Sequence, residues 1–238
     1  MIEPLTAALA LSRQMGSRER TALWLMYLGD ALGCLGDDEQ AAACFRESEM
    51  LHRELGNREG AAFILTGDAW LALSQGDHVR AAALAEESIA ELHALGNDVN
   101  IVFALSFLGS AVSMQGDHER ALALHREGLQ LAREHFRGWF RRMAMFSNLF
   151  GAARALDALE QSERAARVLG AVDRLNEPYP MLMGAWERSS YDRTVASMRA
   201  HLGEDAFATA WAAGRALLLE QAIDDALMED GAGQRKLP

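Results

Sequence analysis

The stretch Leu35-Gly36-Asp37-Asp38-Glu39-Gln40-Ala41-Ala42-Ala43 decides the reading of this chain, because it returns twice. It comes back as Gln75-Gly76-Asp77-His78-Val79-Arg80-Ala81-Ala82-Ala83. It comes again as Gln115-Gly116-Asp117-His118-Glu119-Arg120-Ala121-Leu122-Ala123. Both steps are 40 residues. A second mark, Leu55-Gly56-Asn57, returns as Leu95-Gly96-Asn97. A fixed period of this length marks stacked supersecondary units, a solenoid. Ahead of the first Gly-Asp, Leu25, Leu28 and Leu32 recur at helical spacing. The glycine supplies a tight turn, since it accepts backbone angles that side chains forbid. Asp37 or Asp38 is placed to accept a free N–H at the start of the next helix. Ala41, Ala81 and Ala121 are small, so two helices can approach there. Each unit is a helical hairpin that buries its apolar faces only by stacking.

Working outward, the repeats run over residues 20–57, 58–97, 98–138 and 139–175. The fourth follows at a step of 44, with Ala165 in the role of Ala121. Its turn, Leu159-Glu160-Gln161-Ser162, has lost the glycine, with Ser162 expected as N-cap. The four extra residues are expected to lengthen the connection between hairpins. Residues 1–19 read as a lone second helix. Its first helix is either absent from a half-repeat or was carried on a longer chain, the reading we favour. Asn176-Glu177-Pro178-Tyr179-Pro180 breaks the pattern. Capping helices are expected across 176–230, at about 185–202, 204–213 and 218–228, the first two ended by Gly203 and Gly214. The tail at 231–238 is expected to fray.

The repeats resemble the tetratricopeptide repeat. Leu28, Gly29, Ala41 and Phe45 in repeat one, and Gly109 and Ala121 in repeat three, sit where that family places its large–small pair, small residue and aromatic. Repeat two departs, with Asp68-Ala69 for the Leu-Gly pair, and the 40-residue period implies a longer second helix than that family's. The resemblance implies an all-α fold: a right-handed superhelical solenoid of helical hairpins with a C-terminal helical cap.

A sharper resemblance lies in the Arg164 to Ile223 region. It is carried by Arg164-Ala165-Ala166-Arg167-Val168-Leu169-Gly170, by Tyr191-Asp192-Arg193, and by Leu202-Gly203 through Trp211-Ala212-Ala213-Gly214-Arg215. It looks like the end of the repeat region in large bacterial ATP-dependent regulators of the STAND class (LuxR/MalT-like). Those proteins join a signalling ATPase to tetratricopeptide repeats and often carry a DNA-binding module. The sequence holds no G-x-x-x-x-G-K-[ST] phosphate loop and no strongly basic helix pair. The resemblance thus implies that the ATPase and DNA-binding modules lie on other parts of a longer chain or on separate proteins.

Composition narrows the function classes. The net charge of −11 speaks against direct nucleic-acid binding. No run of apolar residues is long enough to span a membrane, no secretion signal is evident, and two cysteines, Cys34 and Cys44, suit a reducing cytoplasm. The seven histidines form no ligand spacing and no G-x-S-x-G occurs, so neither catalysis, nor a metal, nor a cofactor is expected.

In the tetratricopeptide family the first helix of each hairpin lines the concave face. Carried over, this implies a groove of Met26, Asp30, Phe63, Thr66, Trp70, Phe103, Ser106, Ser110, Phe150 and Arg154, flanked by Leu23, Cys34, Ser74, Met114, Ser147 and Asp157. Such a strip of aromatics and small hydroxyls with few charges suits a protein segment, a peptide or a small effector. Alternatively the chain's own C-terminal helices cover it, with Phe207, Trp211 and Leu218 as plugs. A second candidate is the basic aromatic cluster Arg137, Trp139, Arg141 and Arg142, suited to docking an acidic partner. The functional expectation is a non-catalytic interaction or effector-sensing domain of a transcriptional regulator. A free-standing scaffold and a peptide-pheromone receptor are the alternatives. The open N-terminal end leaves homodimer pairing as a further option.

Overall fold

The computed structural model describes residues 2–97, 99–178 and 185–228, and of Trp139 and Ala185 the backbone alone. The expected frayed tail and the Tyr179–Pro180 part of the breaker lie outside these residues, as does the Trp139 side chain.

The described residues form helices throughout and no strand: α1 Ile2–Gln14, α2 Arg18–Cys34, α3 Asp38–Glu54, α4 Arg58–Ser74, α5 His78–Ala94, α6 Ile101–Met114, α7 His118–His135, α8 Gly138–Ala158, α9 Ser162–Asn176, α10 Ala185–Leu202, α11 Glu204–Ala216 and α12 Leu219–Leu227. Helices pack in sequence order. α2 pairs with α3, α4 with α5, α6 with α7 and α8 with α9, each hairpin stacks on the one before, and α1 leans on α2. The first helices α2, α4, α6 and α8 also meet each other directly, forming one side of an all-α solenoid. After the hairpins, α11 packs along α9, α10 touches α8, α9 and α11, and α12 rests on α7, α8 and α9.

The repeated Gly-Asp works as its chemistry requires. Gly36, Gly76 and Gly116 hold φ of +83°, +79° and +96°. Asp37, Asp77 and Asp117 then accept from the backbone N–H groups of Gln40, Arg80 and Arg120 at 3.3, 3.0 and 3.1 Å. In repeat four Glu160 takes the left-handed position itself, at φ +62°, a conformation costing a side-chain-bearing residue about 1–2 kcal/mol. Ser162 does not cap α9: it is the first residue of the helix and gives its hydroxyl proton to Asp157 at 2.6 Å. The four extra residues also go elsewhere than expected. Phe136 and Arg137 alone join α7 to α8, and the length appears as a 21-residue α8.

The core is built from knobs and notches that alternate along the stack. In repeat one the knob is Phe45, fully buried, received where Gly29 and Gly67 carry no side chain; a Cβ on either would stand 2.6 or 2.8 Å from its ring. In repeat two the equivalent residue is Ala85, and Phe107 from α6 packs against the cluster that holds Ala69 and Ala85. In repeat three the knob is His125, received by Gly109 and Gly151 and fully buried. Its Nδ1 meets Asn148 Oδ1 at 3.4 Å, while Nε2 has no partner among the described residues.

That histidine gives the fold an acid-sensitive point. Burial, first, and Arg154, against the opposing Asn148 bond, lower its pKa from 6.5 to about 4. Between those values the folded state binds fewer protons than the unfolded, so stability falls as pH drops through the window. The loss reaches about 2 kcal/mol by pH 5. Asp30 and Asp68, which burial raises to about 7 and about 6, act with the opposite sign, and His52, lowered by burial, with the same sign. The informative quantity is therefore the difference between wild type and His125→Phe, which puts the repeat-one knob into the repeat-three notch. Between pH 7 and pH 5 the urea midpoint of wild type should shift further toward instability than that of the variant, whatever the sign of the shift common to both; equal shifts would remove His125 from the account.

Candidate functional site

The side formed by α2, α4, α6 and α8 carries the expected groove residues, but they divide into three depths. Leu23, Asp30 and Met114 are exposed, and Met26, Cys34, Phe63, Phe103 and Arg154 half-buried. Trp70 and Phe150 are buried and form a floor. Trp70 fills a notch at Gly33, where a Cβ would clash with the indole ring. Thr66, Ser106 and Ser110 are buried within the stack. Thr66 meets Ser88 of α5 at 3.0 Å, so it serves the seam inside its own hairpin rather than the trough. A hydroxyl on a helix finds a partner helix as readily as an open face, and the sequence does not mark which.

The trough is not empty. α10 lies along it. At its start Glu187 Oε1 accepts the Trp70 indole N–H at 2.7 Å, and Trp186 packs on the cluster of Ala72, Leu73, Ala81 and Ala111. In its middle the Tyr191 ring lies 6.0 Å from Phe150. Near its end Ser197 donates to Asp157 Oδ2 at 2.7 Å and His201 Nδ1 faces Asp157 Oδ1 at 3.1 Å. The C-terminal region thus does cover part of the strip, but with Trp186, Glu187 and Tyr191 rather than the expected plugs. Phe207 and Trp211 pack with Tyr191 and the cluster around α9, and Leu218 is 64 % exposed.

Ser, His and Asp meet at Asp157, yet the protons run the wrong way for a nucleophile. Ser162 donates to the buried carboxylate, and His201 turns the same nitrogen, Nδ1, toward both Ser162 and Asp157. An activated serine instead gives its proton to one imidazole nitrogen while the carboxylate holds the other. The grouping satisfies a buried acid and ties α10 to the α8–α9 turn. Cys34 is likewise quenched, its thiol pushed up to about 12 by burial, then by Glu187 and Asp30. Among the described residues no group of three or more His, Cys, Asp or Glu is arranged to hold a metal ion. No described helix is long and apolar enough to cross a membrane.

What remains open in the trough is bipolar. At the repeat-one end the protein around Asp30 raises its carboxyl above the ordinary range, although solvent still reaches the residue. At the repeat-four end Arg154 lies 5.8 Å over the Phe150 ring and 3.0 Å from Met114 Sδ. Burial, with Arg193 nearby, lowers it to about 10, so it stays cationic at neutral pH.

Arg141 of the basic cluster, with Arg133 of α7, meets an acidic helix of its own chain. Arg141 pairs with Glu220 and Arg133 with Asp224 at 3.2 Å, both on α12. Three arginines of the second helices grip the far end of α12. Arg126 donates to the carbonyls of Ala226 and Met228, Arg164 to those of Asp225 and Met228, and Arg167 to the Asp225 carboxylate at 3.1 and 3.3 Å. Arg137 turns back onto the carbonyls of Arg133, Glu134 and Phe136. The sequence signal for this pairing was present: Glu220, Asp224 and Asp225 share one short helix, and Arg126 and Arg133 lie seven apart on another. No family model matches the chain, and no curated protein is significantly similar to it.

Proposed function

We propose that this chain is a non-catalytic interaction module that binds a protein segment or peptide in the trough over repeats one and two, beside the N-terminal end of α10. The observation that carries the reading is α10 itself. A helix of this chain is seated on the same row of first helices through an indole hydrogen bond, aromatic contacts and a buried carboxylate. That is helix-in-groove recognition performed within one chain. The stretch beyond it, with Leu23, Met26 and Asp30, offers the same mix of apolar and polar groups still open to solvent. The resemblance of the C-terminal region to bacterial ATP-dependent regulators supports a sensing role in a transcriptional regulator, with right-handed winding of the repeats. On that reading the ATPase and DNA-binding modules sit elsewhere.

A random peptide library panned against the purified chain tests it. Peptides enriched on wild type should bind Leu23→Glu and Asp30→Lys about tenfold or more weakly. They should bind Met50→Glu, altered at an exposed residue of α3, unchanged. Equal binding to all four proteins would move the site off the trough.

A further inference from the structure

α10 and α11 are joined by Gly203, whose φ of +78° turns the chain back on itself. Between them, against α9, opens a cleft of about 460 Å³ that the trough does not include. Its apolar wall is aromatic. Tyr191 and Trp211 meet edge to face at 6.2 Å, Phe207 and Trp211 lie 5.2 Å apart, and Val195 completes the wall. Its polar lining is acidic: Asp173, Asp192 and Glu204 stand around it against one basic residue, Arg199. Tyr191 registers this field, its phenol pushed up by burial, then by Asp173 and also by Asp192.

Aromatic faces attract cations within about 6 Å, and most strongly where carboxylates add to the field. The cleft already shows this chemistry once. The Arg199 guanidinium lies 4.9 Å over the Phe207 ring and 3.6 Å from Glu204. Its side chain is half exposed, at 51 %, so the contact is a surface one. Surface ion pairs of this kind hold by about 1 kcal/mol or less, so an incoming cation can displace it. The other two acids are placed differently. Asp173 accepts from Tyr191 Oη at 3.1 Å and pairs with Arg215, which holds the wall in place, whereas Asp192 stands exposed at the mouth.

We propose that the α10–α11 cleft is a binding site for a cationic head group, a guanidinium or alkylammonium, seated on Trp211 and Phe207 with Asp192 and Glu204 as counter-ions. Arg199 is its resident occupant. The site is separate from the trough and does not depend on how the trough is used.

Calorimetric titration tests it with N-acetyl-arginine methylamide, N-acetyl-trimethyllysine methylamide and the neutral N-acetyl-norleucine methylamide. The cationic probes should bind wild type with dissociation constants on the order of millimolar. Arg199→Gln should tighten them about fivefold by freeing the Phe207 face and Glu204. Asp192→Lys, at an exposed position, and Trp211→Leu should both abolish binding, the first without touching the core. The tighter of the two cations identifies the head group. Equal binding of the norleucine probe, weaker binding to Arg199→Gln, or no saturation by either cation in wild type and in Arg199→Gln would each overturn the proposal.

Discussion

Gly214→Ala should cost this protein more than 3 kcal/mol, and the loss should fall first on the C-terminal helices. A Cβ at Gly214 would run into the backbone carbonyl of Arg167, and one at Gly170 into the carbonyl of Trp211. The two glycines face each other across the α9–α11 crossing, so main chain packs on main chain. A clash with a flexible side chain relaxes; a clash with a helix carbonyl moves the whole helix. Because stability in a repeat stack is a sum of local terms, α11 and α12 should open before the hairpins do. Hydrogen exchange should show loss of protection over 204–227 with protection over α4–α7 retained. Gly36→Ala is the control: it meets open space and carries only the φ +83° penalty, about 1–2 kcal/mol. Equal costs for the two variants would refute the crossing as a stability determinant.

Asp225→Ala is the second large effect, expected at about 1.5–3 kcal/mol. Its carboxylate is 10 % exposed and takes two hydrogen bonds from Arg167. Removing it takes both of those bonds from Arg167 and leaves Glu163, at 3.3 Å, as its remaining acidic partner among the described residues, beside Arg164. The pairing also raises the Arg167 pKa, through the hydrogen bond first. Denaturant unfolding checks the magnitude, and Asp225→Asn, which keeps an acceptor of the same shape, should recover part of it. Arg133–Asp224 supplies the contrast: both partners are well exposed, and Asp224→Ala should cost under about 1 kcal/mol. A similar cost for Asp224→Ala and Asp225→Ala would show that burial does not govern the arginine grip.

The hairpins were legible because their information is local and repeated. Gly36, Gly76 and Gly116 each announce a left-handed turn, and the Asp that follows announces a cap. Where the repetition lapses, so does the legibility. Glu160 holds a glycine's conformation with no glycine to mark it, and Gly214, which reads as a helix terminator, lies inside a helix that runs on to Ala216. Glycine serves two ends, a turn or a close approach, and the choice depends on the facing helix. The trough was half legible. The row of first helices follows from the repeat, so Leu23, Asp30 and Arg154 could be placed on it. Its occupant comes from outside the repeat, and no periodicity in Trp186, Glu187 and Tyr191 points to Trp70 or Phe150. Within the basic cluster Arg141 meets Glu220 of α12, a pairing the sequence does not announce, because opposite charges in one sequence do not state which of them meet.

The bond from Trp70 to Glu187 sets a clock. Its partners are separated by 117 residues in a molecule built mostly of contacts between neighbouring helices. On a ribosome adding about 5–20 residues per second, the first two hairpins, which end at Ala94, are complete roughly 5–19 seconds before Glu187 is made. Through that interval the Trp70 indole N–H faces water, and the row of first helices stands uncovered. Local hairpins form early and cheaply, while closure over them waits on the slowest, most distant pairing. Any segment that binds the uncovered row has its widest access to it during synthesis.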